Sequence, residues 1–150
     1  MRAIALTLLF ALSITLAHAG DSAEQLAQQV RDAESAFAAT MAQRDLNAFA
    51  TYVAEDAVFF DGLDARRGRA AIVEGWKPLY QGEKAPFSWQ SETVAVLADG
   101  TLAHSSGPVL DSQGRRVGTF NSVWRRGADG KWQVVFDKGC PVCNCQGKAD

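Results

Sequence analysis

The chain has 150 residues, and the first nineteen read as a cleaved leader, which leaves 131 to fold: enough for one domain with one core, too few for two ordinary domains. Fifteen Lys and Arg stand against seventeen Asp and Glu, a formal net charge of −2, or −3 once Arg2 leaves with the leader, so no bulk positive field exists to draw nucleic acid or anionic lipid. A composition 47% hydrophobic and 21% charged is that of a globular chain and excludes extensive disorder or a coiled coil.

Arg2 forms a positive start, Ala3 to Leu16 an apolar run, and Ala17-His18-Ala19 a small-x-small cleavage site. Cleavage after Ala19 and a periplasmic or secreted address are therefore expected. As a helix the apolar run rises about 21 Å, short of the ~30 Å hydrocarbon layer, and no other stretch could span one, so no membrane association is expected after cleavage.

Ser22-Ala23-Glu24-Gln25 has the form of a capping box, and Leu26, Val30, Ala33, Phe37 and Met41 follow at spacings of three and four, which predicts one long amphipathic helix. Asp45 can cap a shorter helix carrying Leu46, Phe49 and Val53 on one face, broken by Glu55-Asp56. Ala57 to Asp61 reads as a strand, Gly62 and residues 63 to 68 as a turn, and Ile72, Val73, Trp76, Leu79 and Tyr80 as the face of a third helix kinked or ended near Pro78. Beyond Phe87, β-branched and aromatic residues recur between the turn signals Asp99-Gly100, Ser112-Gln113-Gly114 and Gly127 to Gly130. Strands are predicted near 87 to 97, 101 to 110, 116 to 126 and 131 to 137, and connections this short favour antiparallel hairpins. Helices, one strand, a helix and a four-strand meander describe an α+β domain over residues 20 to 138, with its helices on one face of an antiparallel sheet.

All three cysteines, Cys140, Cys143 and Cys145, fall in a tail of residues 139 to 150, beyond the last predicted strand. In an oxidising compartment a disulfide is the default, with three pairings open and one thiol left over. Three thiolates could instead hold a soft metal, but a structural zinc site wants four ligands and the one histidine of the mature chain, His104, is remote in sequence.

The run from Phe37 to Phe49, then Tyr52 to Asp61, then Arg67-Gly68-Arg69-Ala70-Ala71-Ile72, with Val123-Trp124-Arg125-Arg126 and Gly130 to Val135 as closing strands, resembles the nuclear transport factor 2-like superfamily and within it the SnoaL-like subgroup. The resemblance spans residues 24 to 138. It implies a strongly curved sheet wrapped around helices into a cone with an apolar pocket at the wide end, and often a homodimer. Relatives with such cones include ketosteroid isomerase and polyketide cyclases as well as domains without known activity, so the fold does not settle function.

Asp61 ends its strand on the side of Ala57 and Phe59, and in the resemblance it falls on the general base of the ketosteroid isomerases. A carboxylate against apolar walls has its charged form disfavoured, which suits proton abstraction next to a carbonyl; Asp-Gly after a strand is equally a turn signal. The isomerases' pocket tyrosine falls on Phe37, which has no donor, and their second oxyanion donor falls near Ser122. Half of that machinery is absent, which disfavours steroid isomerisation by that route. His104, in phase with Leu102 and Ser106, is a candidate acid–base partner or a buried structural histidine. Asp137 is a second pocket acid or the surface partner of Lys138. Phe37, Phe59, Trp76, Tyr80, Phe120 and Trp124 are the expected ligand-facing rings, suited to an apolar ring or polyketide-like molecule. Arg66, Arg67 and Arg69 read as a solvated basic cluster. No dinucleotide, phosphate-loop, serine-hydrolase or zinc-protease motif is present, so no cofactor or catalytic metal is expected. The expected roles are binding of a small apolar molecule, cofactor-free lyase, isomerase or hydrolase chemistry from Asp61, or redox or metal handling by the tail.

Overall fold

The computed structural model describes residues 21–142. Helix α1 (Ala23–Gln43) opens on the predicted capping box: Ser22 Oγ accepts from the Gln25 amide, and Gln25 Oε1 accepts from the Ser22 amide. Its apolar stripe buries Leu26, Val30, Phe37 and Met41, along with Glu34 and Thr40. Asp45 caps α2 (Leu46–Tyr52) by accepting from the Ala48 amide at 2.8 Å, and α2 buries Phe49. Strand β1 (Val53–Asp61) follows directly. It begins four residues before the predicted strand because Val53 already pairs with Val134, while Glu55 and Asp56 bulge outward to meet Arg69 and Arg125.

The stretch read as a turn contains β2 (Asp64–Arg67), an exposed edge strand folded back on β1. Helix α3 (Arg69–Trp76) ends just before Pro78, and residues Lys77–Tyr80 continue as one 3-10 turn. The single strand predicted over 87 to 97 is two: β3 (Phe87–Trp89) and β4 (Thr93–Val96), both paired to the same edge of β5 (Leu102–Asp111). The break falls where the Gln90 carbonyl crosses over Gly107, filling the space a Cβ would need. Strands β6 (Arg116–Arg126) and β7 (Trp132–Pro141) complete the expected meander. β7 runs past residue 138, so Cys140 is an exposed strand residue opposite Thr119 rather than part of a tail; Cys143 and Cys145 lie outside the described residues.

The sheet order is β2-β1-β7-β6-β5-β3, with β4 also on β5. Every pair is antiparallel except β1–β7, so the sheet is mixed rather than purely antiparallel. Register shifts in the β1–β7, β5–β6 and β6–β7 pairings bend the strands, and α1 lies in the resulting hollow against β3, β4, β5 and β7. One row of partners crosses the whole inner face: Val94, Ser105, Ser122, Asp137, Phe59 and Arg66, each the register partner of the next. A line of polar groups thus runs through an otherwise apolar concave surface. No helix among the described residues is long and apolar enough to cross a membrane.

Candidate functional site

Residues of α1, α3 and the inner face of the sheet line a cavity of about 460 Å³, within the range of small-molecule sites. Aromatic rings wall it. Trp76 meets Phe59 at 5.8 Å and Phe87 at 6.1 Å between centroids, Phe87 meets Trp89 at 5.8 Å, and Trp89 meets Phe37 edge-on at 5.5 Å. Phe120 and Val109 close the sheet side.

Into this wall β7 projects Asp137. It is half-buried where it lines the cavity, and Oδ2 accepts a 2.7 Å hydrogen bond from Ser122 Oγ on β6. Burial pushes the Asp137 carboxyl up to about 7; the Ser122 hydroxyl pulls it down, and the negative field of Glu34 adds to the rise. A second acid lies beneath the cavity wall. Glu34 of α1 is fully buried and accepts from Trp89 Nε1 at 2.7 Å, Ser105 Oγ at 2.5 Å and Trp124 Nε1 at 2.9 Å. Burial raises its pKa against the opposing pull of Ser105, Trp89 and Trp124. The indole donors cannot accept, so Glu34 satisfies both tryptophans and thereby sets the tilt of Trp89, a cavity-wall ring.

Residues 35–135 match the family model of the SnoaL-like domain. The chain belongs to the SnoaL-like domain family. Among solved structures, this SnoaL-like protein is similar to a protein provisionally designated a dehydratase of the nuclear transport factor 2-like family from Streptomyces avermitilis, at 19% identity and a TM-score of 0.65 over 81% of this chain and 99% of that one. A ketosteroid isomerase-like protein from Erwinia carotovora atroseptica gives 15% identity and a TM-score of 0.61, over 78% and 96%. A nuclear transport factor 2-like superfamily protein from Salmonella enterica gives 14% and 0.61, over 86% and 100%. At these identities the likeness is one of fold. No curated protein sequence gives a significant match.

The SnoaL-like cone sorts the sequence-predicted residues by depth. Phe37, Phe59, Trp76 and Phe120 line the cavity. Trp124 and Ser122 lie behind its wall, both almost fully buried, one bonded to Glu34 and the other to Asp137. Tyr80 turns away from it: its hydroxyl pairs with Thr40 at 3.1 Å, the Arg44 guanidinium sits 5.2 Å above its ring, and burial pushes its phenol up to about 12. Asp61 does reach the cavity, but only at the mouth, where its side chain is 80% exposed and 3.8 Å from Arg66. It is not enclosed by apolar walls. His104 is exposed on the outer face, between Val123 of β6 and Ala95 of β4, because the inward positions of β5 are Ala103, Ser105 and Gly107. Asp137 makes no ion pair with Lys138, whose ammonium instead lies 5.8 Å from the centre of the Phe60 ring on the opposite face.

Sequence reasoning passed over Glu34 and Trp89, although the spacing of Val30, Glu34, Phe37 and Met41 places the acid inside the apolar stripe of α1. Among the described residues no three His, Cys, Asp or Glu side chains converge as a metal site. A second hollow of about 730 Å³, lined by Gln29, Asp32, Tyr52, Lys131, Trp132 and their neighbours, mixes polar and apolar surface and contains none of the candidate residues.

Proposed function

We propose that the protein binds a small, largely apolar molecule within the cone, oriented by a hydrogen bond to Asp137, and that it does so outside the cytoplasm after loss of its leader. The observation that carries this reading is an aromatic cavity whose inner wall presents one carboxyl, held by Ser122. At pH values below about 7 that carboxyl carries its proton and can donate to a carbonyl or hydroxyl oxygen of a guest. The direct experiment is to purify the mature protein from a periplasmic extract, identify copurifying small molecules by mass spectrometry, and measure rebinding to the wild type and to Asp137→Asn. A stripped protein that rebinds none of them, with cleavage after Ala19 absent from the intact mass, would remove the proposal.

A second reading is cofactor-free acid–base catalysis, favoured by the placement of the Asp137 pKa at about 7, where one group both accepts and returns a proton under neutral conditions. On this reading Asp137, not Asp61, is the group that touches substrate. Turnover lost in Asp137→Asn with ligand affinity retained would support it; binding without turnover would leave the first reading standing. Phe136 and Val117 are uncovered on the outer side of the sheet, which supports pairing of two copies through that face, a state that sedimentation equilibrium would report.

A further inference from the structure

We propose that Arg66 is the anchoring point for an anionic group, a carboxylate by geometry, on the molecule that enters the cone. This deepens the reading of the cavity as a ligand site and rests on it. Arg66 stands on β2 as the register partner of Phe59, at the end of the inward row that carries Asp137, and its side chain lines the cavity mouth. Two other arginines are committed: Arg69 donates to the Val53 carbonyl at 2.7 Å, and Arg125 is held by both oxygens of Asp56. Arg66 and its neighbour Arg67 are not, and of these two only Arg66 lines the cavity. Among the described residues no protein atom accepts a hydrogen bond from its guanidinium, and the carboxylate facing it, Asp61, stays at 3.8 Å, beyond hydrogen-bond length.

The guanidinium packs against α3. A Cβ on Gly75 of α3 would come within 2.8 Å of Cζ, Nε and Nη1 of Arg66, so the glycine leaves a notch in the helix that the guanidinium occupies. A planar fork seated in a notch, with its donors unspent and an apolar cavity beside it, matches the two oxygens of a carboxylate. Asp61 then serves as the loose counter-ion that an incoming anion displaces. Arg66 and Asp137 are separated by two strand spacings, roughly 10 Å between backbones. The ligand class is therefore a compact apolar ring system with an uncharged oxygen at the inner end, facing Asp137, and a carboxylate at the outer end.

Isothermal titration calorimetry at about pH 6 with naphthylacetate and its uncharged counterpart naphthylethanol tests the assignment. Wild-type protein should prefer the acid. Arg66→Gln should weaken the acid about tenfold or more, as expected for loss of a charge-assisted pair, and leave the alcohol within about twofold. Gly75→Ala should lower the acid's affinity in the same selective way by displacing the guanidinium, and Asp61→Asn should raise it by removing the competitor. Arg67→Gln, on the other side of β2, should alter neither. Retained alcohol binding confirms that each variant is folded. If both compounds bind and Arg66→Gln leaves their ratio unchanged, the Arg66 assignment is overturned while the ligand cavity stands. If neither compound binds the wild type, both are overturned.

Discussion

Asp137→Asn should flatten the pH dependence of folding stability. Folded Asp137 keeps its proton up to about 7, whereas an aspartate with its ordinary value of 3.8 has lost it well before. Between those values the unfolded chain is deprotonated at this position and the folded chain is not, so raising the pH favours unfolding. The contribution is whole below about 3.8 and gone above about 7. Each pH unit in that window costs about 1.4 kcal/mol and the full window about 4 kcal/mol, a large share of the ~5–15 kcal/mol that holds a small domain together. Glu34, also raised, tilts the curve the same way, while Asp21, Asp56, Asp99, Asp111 and Asp129, held low mainly by hydrogen bonds, act in the opposite sense at more acidic pH. These contributions largely cancel when the variant's curve is subtracted from the wild type's. The replacement amide can still accept from Ser122 through its carbonyl oxygen, so packing is retained. Urea unfolding followed by tryptophan emission from pH 4.5 to 8.5 should show wild-type stability falling by several kcal/mol and levelling above neutrality, with a much shallower fall in Asp137→Asn and equal m-values. Parallel curves for the two proteins would refute the reasoning, because they would mean that the acid is solvated in the folded cone.

Glu34→Ala should destabilise by about 3 kcal/mol in the same urea assay, since it leaves the buried indole of Trp89 and the Ser105 hydroxyl without their acceptor and the Trp124 indole with Ser105 Oγ alone. Gly107→Ala drives a methyl group into the Gln90 carbonyl and should cost about 1–3 kcal/mol, with the largest NMR shift changes at the β3–β4 break. His104→Ala, on the exposed outer face, should leave the affinity of any cavity ligand measured by calorimetry as it is in the wild type.

Local signals carried the elements they could specify. Ser22 with Gln25, Asp45 ahead of Ala48, and the Gly-bearing hairpin turns each act within a few residues, and each is present where the pattern puts it. What escaped is long-range. The start of β1 at Val53 depends on Val134, some eighty positions away, and the parallel β1–β7 pair has no turn between its strands to announce it. The division of residues 87 to 97 into two strands reflects the crossing of Gln90 over Gly107, again a contact between distant segments.

Asp61 and Asp137 show why a face can be read from sequence and a depth cannot. Alternation along β1 puts Ala57, Phe59 and Asp61 on the inner side, and Asp61 does reach the cavity. Depth depends on which residue of the next strand lies alongside. Asp137 pairs with Phe59, two residues before the end of β1, so it sits a full pleat deeper than Asp61, inside the aromatic wall rather than at its rim. Only the parallel register makes that distinction. Glu34 is the converse case, because its position in the stripe between Val30 and Phe37 is local information. An acid at the centre of a buried stripe demands donors, and a small domain with four tryptophans has few better sources than their indole N–H groups. Once that demand is granted, Trp89 and Trp124 must converge on α1, which brings β3 and β6 to the same helix face and leaves the hollow between them and α3 as the cavity.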